Sequence, residues 1–414
     1  MGFILTISIV AFLAVTLLLV VVLLYAKNKL VPSGNVTIDI NGGERSLTVA
    51  QGDTLLTTLS ANGIFLPSAC GGGGSCGMCK CQLLEGGGEI LPTEVNFFTR
   101  KQQQEHWRLG CQVKVRENLR IHVEESVLGV KKWECEVVSN RNVATFIKEF
   151  VVKLPEGENL KFRSGGYIQI DIPKYEGIRF PDFDIDNEYR EDWDTMKMWE
   201  LTTNNPEPTF RAYSMANHPA EGNVIMLNIR IATPPWDRTA GGFMKVNPGI
   251  CSSYIFSRKP GDKVTISGPF GEFFVKDTPN EKMFIGGGAG MAPMRSHIFH
   301  LFQTEKTNVP VTFWYGARSK REIFYEEQFE AIERDFPNFK FNIALSEPKP
   351  EDNWKGSVGF IHQVIFDEYL KNHEAPEDIE YYLCGPPMMT AAVTRMLDNL
   401  GVPAENIMYD NFGA

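Results

Sequence analysis

The sequence contains no run rich in lysine and arginine, and its 51 acidic residues outnumber its 41 basic ones. The resulting formal charge of −10 disfavours binding to a nucleic-acid backbone. Histidine is also scarce: the seven residues are scattered, and we assign no metal to the helically spaced pair His297 and His300. The eight cysteines lack a regular extracellular spacing, which predicts reduced thiols and a soluble part that lies in the cytosol.

Charge is absent from Phe3 to Tyr25. As a helix this segment would be about 34 Å long, and a bilayer core is about 30 Å thick, so it predicts one transmembrane helix. A cleaved signal peptide is the alternative, but no basic stretch precedes the run and no A-x-A-like site follows it. Lys27 and Lys29 follow the helix and nothing positive precedes it, so we expect the rest of the chain to face the cytoplasm.

Four cysteines have the spacing Cys-x5-Cys-x2-Cys-x31-Cys, and these are Cys70, Cys76, Cys79 and Cys111. A 2Fe-2S cluster needs four thiolates around two irons, and Gly71 to Gly74 let the backbone curl so that amides reach the sulfurs. A four-thiolate zinc site is the alternative, although zinc knuckles usually pair two short Cys-x2-Cys steps. We therefore predict a 2Fe-2S cluster.

The cysteine spacing resembles that of the ferredoxin family, in its adrenodoxin-like form. Cys81 follows the third cysteine closely, and we assign it as a thiol that does not bind the cluster. The runs VTIDI and RSLTVA predict short strands, and Gly52-Asp53-Thr54 predicts the start of a helix through Ala61. The resemblance implies a β-grasp ferredoxin domain over 33–129, after an anchor and linker over 1–32.

The rest of the chain changes pattern once. Residues 133 to about 277 contain many short strands punctuated by proline and glycine, which predicts an antiparallel β-barrel domain over 130–277. Beyond Glu281, continuous apolar runs alternate with helix patterns, which predicts an α/β doubly wound parallel sheet over 278–414. The fold class is therefore multidomain, with a membrane helix, a ferredoxin, a barrel and a nucleotide-binding domain.

Two segments of the barrel region predict a flavin site. The first, Arg211-Ala212-Tyr213-Ser214, offers a guanidinium for a pyrophosphate, an aromatic ring for the isoalloxazine and a hydroxyl for a ring heteroatom. An ordinary strand with a surface arginine is the alternative. The second, Gly249 to Ser253, stands where a helix is expected to begin and can hold phosphates with its amides. Together they resemble the ferredoxin-NADP reductase superfamily, which implies FAD binding by Arg211, Tyr213, Ser214, Gly249 and Ser252.

Two further segments predict the NADH site. Gly286-Gly287-Gly288-Ala289-Gly290 follows an apolar strand and precedes Pro293, as a phosphate-binding turn does; a tight packing turn is the alternative. Cys384-Gly385-Pro386-Pro387 resembles the segment that borders the nicotinamide in the same superfamily, and a buried structural cysteine is the alternative for Cys384. The predicted NADH-binding residues are Gly286, Gly287, Gly288, Gly290, Cys384, Gly385 and Pro386.

The superfamily resemblance also implies residues close to the reacting atoms. These are Ser214, Cys384 and Phe412, of which the last would cover the flavin as an aromatic ring near the C-terminus. Discrimination between NADH and NADPH stays open from the residues, because Arg318, Lys320 and Arg321 can meet a 2′-phosphate.

The modules predict a route for electrons. NADH gives up a hydride and a 2Fe-2S cluster accepts one electron, so FAD must stand between them and the cluster must pass electrons to an acceptor outside this chain. The module order resembles the F subunits of bacterial sodium-translocating NADH:quinone oxidoreductases. That resemblance implies NADH:ubiquinone reductase activity coupled to sodium export, within a six-subunit complex of the bacterial inner membrane. A membrane-anchored reductase component that supplies an oxygenase or another acceptor is the alternative.

Residues 175–205 interrupt the barrel pattern with acidic and aromatic residues. This insertion is longer than a tight barrel loop requires. We hypothesise that it is a docking surface for a partner, and a merely solvated loop is the alternative.

Overall fold

The computed structural model describes residues 9, 12–22 and 34–410. They form two compact units, one comprising residues up to Ser68 together with Gly72–Gly129, the other Ala69–Gly71 together with the chain from Val130 onward. Within the described ranges, no helix combines the length and apolar character needed to cross a membrane. The predicted helix Phe3 to Tyr25 lies partly outside the described residues, and Phe412 lies wholly outside them.

The first unit contains a mixed five-stranded sheet. Its strands are β1 (Asn35–Ile40), β2 (Arg45–Ala50), β3 (Lys80–Glu85), β4 (Trp107–Leu109) and β5 (Leu119–His122), in the order β2-β1-β5-β3-β4. Strands β1 and β5 are parallel, whereas the other pairs are antiparallel. In the part of this unit described from residue 34 onward, the α-helices are Leu55–Ala61, Arg100–Gln104 and Glu125–Leu128. The first helix confirms the prediction from sequence, because the Thr54 hydroxyl accepts a hydrogen bond from the Thr57 amide as its N-cap.

The barrel region of the second unit contains ten strands among its described residues. They are β6 (Lys131–Ala144), β7 (Ile147–Lys153), β8 (Tyr167–Ile172), β9 (Tyr175–Arg179), β10 (Thr202–Asn205), β11 (Thr209–Ser214), β12 (Val224–Arg230), β13 (Trp236–Asp237), β14 (Gly242–Phe243) and β15 (Lys263–Phe270). Six of them form one antiparallel sheet in the order β11-β8-β15-β6-β7-β12. A bridge between Met215 and Leu227 joins its two ends, so the sheet closes on itself as a barrel. Helix Ile250–Phe256 lies between β14 and β15.

The insertion at 175–205 contributes to the core of the barrel. Its helix Asn187–Thr195 and the residues before it bury Phe180, Phe183, Tyr189 and Trp193 among the barrel's apolar side chains. The indole of Trp193 is fully buried and donates a hydrogen bond to the Thr145 carbonyl, 2.8 Å away. Burial in the core removes these aromatic residues from contact with a partner, so the part of the docking hypothesis that relies on them is wrong. The acidic residues of the insertion, such as Asp184 and Glu188, are exposed, and a docking surface formed by them stays a prediction.

The region from Lys282 onward contains six parallel strands. They are β16 (Lys282–Gly287), β17 (Val311–Ala317), β18 (Phe339–Leu345), β19 (Ser357–Val358), β20 (Glu380–Cys384) and β21 (Ile407–Asp410), in the order β19-β18-β17-β16-β20-β21. Its α-helices are Met291–Phe299, Glu326–Asp335, Ile361–Glu368 and Pro387–Asn399. Phe284 of β16 belongs to one apolar cluster, and its neighbours Met283 and Ile285 belong to another. Since successive residues point to opposite faces, both faces of this sheet are buried, as a doubly wound fold requires.

Candidate functional site

Two of the four predicted cluster ligands are adjacent in the first unit. Cys79 and Cys111 are buried, and the Gly110 amide donates a hydrogen bond of 2.7 Å to the Cys79 carbonyl. The two thiols hydrogen-bond to each other, and this contact together with burial raises the pKa of Cys79. Pairing of β3 with β4 brings the chain after the cysteine loop next to the last ligand. Cys70 and Cys76 are half-buried.

The loop that carries the first three cysteines has a backbone that favours glycine. Gly72 has a φ of +92° and donates its amide to the Ser68 hydroxyl at 3.3 Å. Gly77 has a φ of +70°, and a Cβ there would lie 2.3 Å from the Phe97 ring. The predicted curl of the glycine run is therefore present, and a larger residue at Gly77 would collide with the Phe97 ring. Among residues 34–410, no group of three or more His, Cys, Asp or Glu side chains is placed to hold a single metal ion.

Cys81 lies apart from this arrangement. Its thiol is fully buried and contacts the Arg108 carbonyl at 3.8 Å. Burial raises the pKa of Cys81 to about 12. The hydrogen bond of the thiol to a backbone carbonyl agrees with its assignment as a residue that does not bind the cluster.

The predicted flavin residues Arg211, Tyr213 and Ser214 lie within strand β11, which precedes strand β12. Alternation along the strand places Arg211 and Tyr213 on the same face, and Ser214 ends it. The Arg211 guanidinium donates to the Phe210 carbonyl at 2.8 Å. The strand therefore presents a guanidinium and an aromatic ring side by side, which suits a flavin pyrophosphate and ring system.

Gly249 and Ser252 build the start of helix Ile250–Phe256, as the sequence predicts. A Cβ on Gly249 would lie 2.5 Å from the Ala232 Cβ, so the helix start approaches the chain after β12 too closely for a side chain. The Ser252 hydroxyl accepts a hydrogen bond from the Ala232 amide at 3.0 Å and donates one to the Gly249 carbonyl at 3.1 Å. Ser252 thus holds the turn in place with its own hydroxyl.

The structure brings the two predicted NADH segments together. Strands β16 and β20 pair so that Gly286 is opposite Cys384, and a Cβ on Gly290 would lie 2.0 Å from the Cys384 carbonyl oxygen. A Cβ on Gly287 would lie 2.8 Å from the Met389 sulfur, and one on Gly385 would lie 3.2 Å from the Gly287 amide nitrogen. Glycine is required here because the two segments touch. Helix Met291–Phe299 follows at once, so its N-terminal amides point at the same edge of the sheet.

A carboxyl group that the sequence analysis missed joins the flavin and NADH segments. The Ser214 hydroxyl donates a 2.6 Å hydrogen bond to Asp410, and Asp410 is opposite Cys384 in the pairing of β20 with β21. Burial raises the pKa of Asp410 to about 6, against the lowering effect of the Ser214 hydrogen bond. Burial and the neighbouring charge of Asp410 also raise the pKa of Cys384. A signal was present in the sequence, because Asp410 ends an apolar strand as Cys384 does, and the carboxyl ends of parallel strands share one edge.

The cations that follow β17 are engaged with carboxylates. Arg318 pairs with Glu347 at 2.8 Å, and Arg321 pairs with Asp192 of the insertion at 2.7 Å. The Lys320 amide donates to Asp352 at 3.1 Å. Two of the three positive charges predicted as possible partners of a 2′-phosphate are therefore balanced within the protein.

Three family models match this chain. Residues 38–116 match the 2Fe-2S iron-sulfur cluster binding domain, residues 198–275 the oxidoreductase FAD-binding domain, and residues 284–395 the oxidoreductase NAD-binding domain. The F subunit of the Na(+)-translocating NADH-quinone reductase of Methylococcus capsulatus is 58% identical over 402 residues, which cover 97% of each chain. The chain belongs to the family of these F subunits.

A second F subunit, that of Pseudomonas aeruginosa, is 56% identical over 412 residues and covers 100% of this chain and 99% of its own. The similarity to these F subunits therefore covers all of the domains described above. Its 2Fe-2S, FAD-binding and NAD-binding domains establish the three predicted cofactors and decide for an iron-sulfur cluster over zinc. Among solved structures, the cytochrome P450 reductase of Amycolatopsis shares the fold at a TM-score of 0.62 and 21% identity, covering 91% of this chain and 98% of its own.

Proposed function

We propose that this chain is the electron-entry subunit of a sodium-translocating NADH:quinone oxidoreductase. It takes a hydride from NADH and delivers single electrons to other subunits, which reduce ubiquinone and export sodium. When bound, FAD would accept the hydride pair and release electrons singly, and the 2Fe-2S cluster would carry one electron at a time. The observation that most supports this function is the contact of Gly290 with Cys384 and of Ser214 with Asp410, because it would bring the proposed nucleotide-binding turn beside the proposed flavin-binding strand.

The NADH side of the site is formed by the edge of the parallel sheet. The amides of Gly286, Gly287, Gly288 and Gly290 and the start of helix Met291–Phe299 would hold the pyrophosphate. Cys384, Gly385 and Pro386 would border the nicotinamide. Because burial keeps the Cys384 thiol protonated, it would add no negative charge beside the transferred hydride.

The flavin side is formed by the barrel. Arg211 would pair with the pyrophosphate of FAD and Tyr213 would pack against its ring system, while Gly249 and Ser252 would support its phosphates. The Ser214 hydroxyl donates a hydrogen bond to the ionised Asp410. Its oxygen would therefore be free to accept a hydrogen bond from the side of the reacting atoms. We include Phe412 as the ring that covers the flavin, because it follows Asp410 closely in the chain.

The cluster side is formed by four thiolates. We assign these ligands to Cys70, Cys76, Cys79 and Cys111. The adjacent thiols of Cys79 and Cys111 and the positive φ angles of the intervening loop support the assignment.

The cofactor preference is for NADH over NADPH. Arg318 and Arg321 already pair with Glu347 and Asp192, so a 2′-phosphate would have to break an ion pair to gain a guanidinium. Glu347 would also repel that phosphate.

The chain is anchored in the bacterial inner membrane by Phe3 to Tyr25, with its cofactor domains facing the cytoplasm. The uncharged run and the lysines that follow it support this arrangement. The partners would be the other membrane subunits of a six-subunit complex, and ubiquinone would be reached through them. The names of the relatives, which describe a subunit of a Na(+)-translocating enzyme, support this partnership.

The test is sodium-stimulated NADH:quinone reduction in native membrane vesicles from cells with and without this chain. We expect the sodium-dependent activity to disappear with the chain and to return when the chain is restored. Persistence of that activity would assign the chain to another acceptor, such as an oxygenase.

A further inference from the structure

A buried arginine follows the nucleotide-binding turn directly. Arg295 lies on helix Met291–Phe299, and its side chain is 4% exposed. Its guanidinium donates to both carboxylate oxygens of Glu221, at 2.6 and 2.8 Å. It also donates to the Ala216 carbonyl at 2.9 Å, and its Nε donates to the Gln328 side chain at 3.0 Å. Because the guanidinium and the carboxylate share two hydrogen bonds, the contact fixes their relative orientation as well as the distance between them.

Two partners of Arg295, Ala216 and Glu221, belong to the chain segment that follows strand β11. Ala216 follows Ser214 after one intervening residue, and Glu221 is tied to the same segment because it accepts the His218 amide at 2.7 Å. The next residue of the helix repeats the connection, since the Ser296 hydroxyl donates to the Asn217 carbonyl at 2.8 Å. Asn217 is in turn held to the barrel by the Met226 amide, 2.9 Å away.

We propose that Arg295, held by Glu221, is a positioning residue that sets the nicotinamide at the hydride-transfer distance from the flavin. This inference rests on the proposed function. Arg295 lies five residues after Gly290, and its guanidinium contacts Ala216, which is two residues after Ser214. We call the ion pair of Arg295 and Glu221 the clamp. A shift of the clamp would change the distance between the two cofactors, although neither of its residues contacts a cofactor.

Stability alone does not account for this ion pair. Burial of two charges costs about as much free energy as their attraction returns, so an apolar pair would hold the helix to the barrel equally well. The two hydrogen bonds between Arg295 and Glu221 fix the orientation of the helix relative to the barrel. Hydride transfer is sensitive to the relative orientation of donor and acceptor. The rings of Phe299 and Tyr325 lie 4.2 and 5.3 Å from the guanidinium carbon and further restrict it.

The same sheet contains a matched control. Lys282 and Glu380 form an ion pair 2.9 Å long, with side chains 3% and 1% exposed, and it is more deeply buried than the pair of Arg295 with Glu221, whose carboxylate side chain is 25% exposed. They begin strands β16 and β20, so they stand at the opposite end of the strands whose other ends carry Gly286 and Cys384. Glu380→Gln thus removes a buried charge far from the cofactors, whereas Glu221→Gln removes one beside them.

The experiment uses the purified full-length holoprotein and measures flavin reduction by NADH in a stopped-flow instrument. The variants are Arg295→Lys, Glu221→Gln, their combination and Glu380→Gln. We expect each clamp variant to retain FAD and the cluster, to bind NADH within about threefold of wild type, and to reduce flavin roughly 10- to 100-fold more slowly at saturating NADH. The combination should be no slower than the slower single variant, because both changes break one clamp.

Two further readouts separate positioning from stability. The long-wavelength absorption of the stacked nicotinamide and flavin should weaken in the clamp variants, and substitution of deuterium at the transferred position of NADH should slow them as it slows wild type. Glu380→Gln should lower the thermal midpoint while leaving the rate and the absorption unchanged.

The inference would be overturned if the clamp variants lost thermal stability like Glu380→Gln but reduced flavin at the wild-type rate. It would also be overturned if only the affinity for NADH changed. Failure of the wild-type flavin to be reduced by NADH is a different outcome, since it would remove the proposed function itself and the inference with it.

Discussion

The cluster loop, residues 69–79, and the nucleotide turn, residues 286–290, both contain glycine runs, but the glycines serve different purposes. In the cluster loop, Gly71, Gly72, Gly74 and Gly77 all have positive φ angles, between +65° and +92°. Across the nucleotide turn, all of whose residues the structure describes, Gly288 alone has one, at +57°. Of the other glycines there, Gly287 makes room for Met389 and Gly290 makes room for Cys384.

The cluster loop needs glycine for its backbone conformation and, at Gly77, for space as well, whereas the nucleotide turn needs glycine mainly for space. In the cluster loop, the conformation turns the chain around the thiols. In the nucleotide turn, the absence of Cβ atoms lets two strand ends and their loops touch. The two regions should therefore fail in different ways when residues in them are replaced.

The largest effect is expected from loss of a cluster ligand. Cys70→Ser should abolish the 2Fe-2S cluster, because a serine hydroxyl is a poor substitute for a thiolate, while NADH still reduces the flavin. The measurements are the electron paramagnetic resonance signal of the reduced cluster and the stopped-flow rate of flavin reduction. Cys81→Ser is the matched control and should keep the signal, since the Cys81 thiol contacts a backbone carbonyl instead. A normal cluster signal in Cys70→Ser would refute the ligand assignment.

A smaller effect is expected in the nucleotide turn. Gly290→Ala would place a methyl group 2.0 Å from the Cys384 carbonyl oxygen, so the turn must shift, and flavin reduction by NADH should slow about 100-fold. Gly288→Ala is the control in the same turn. It meets nothing nearer than 3.9 Å and costs about 1–2 kcal/mol for the left-handed backbone. FAD content and the cluster signal should stay normal in both variants, and equal rates would contradict the spatial explanation.

Asp410 should give the reaction a pH dependence. Its pKa is about 6, so above that pH the ionised carboxylate accepts the Ser214 proton and orients the hydroxyl. The rate of flavin reduction should rise with pH through about 6, and Asp410→Asn should remove that step and lower the plateau about tenfold, as expected for a lost charged hydrogen bond. Asp398→Asn, an exposed change on helix Pro387–Asn399, should leave the profile unchanged. An unaltered step in Asp410→Asn would assign it to another group.

Local signals in the sequence predicted much of this arrangement. The helix after Thr54, the helix after Gly249 and the parallel strands beyond Glu281 follow from capping residues, glycine positions and apolar runs. The glycine segment 286–290 and Cys384 were each identified from their own neighbours. These features could be predicted because each depends on residues close together in the chain.

The features that could not be predicted depend on contacts between distant segments. The sequence does not reveal that Ser214 reaches Asp410 or that Arg295 reaches Glu221, because the register of barrel and sheet decides both. The insertion illustrates the same limit. Its mixture of acidic and aromatic residues is compatible with a binding surface, whereas the fold buries Trp193 in the barrel core.

The smallest expected effect is on the pH dependence of stability, and it arises from His297 on the helix that follows the nucleotide turn. His297 is buried with no hydrogen-bond partner for its Nε2, and burial lowers its pKa to about 3. An unfolded histidine has a pKa of about 6.5, so below that pH the unfolded state binds a proton that the folded state does not. Stability is therefore complete above about pH 6.5 and is lost progressively as the pH falls towards 3.

The expected loss between pH 7.5 and 5.5 is roughly 1.4 kcal/mol from this residue. Urea unfolding curves of the full chain, followed by release of FAD, measure it at both pH values. His297→Gln should reduce the difference between the free energies of unfolding obtained from the two urea curves by that amount. His362→Gln, at a half-buried position on helix Ile361–Glu368, should leave that difference as in wild type. If both variants lost stability equally with falling pH, the acid sensitivity would arise from other groups, and the environment of His297 would accept a proton more readily than its burial implies.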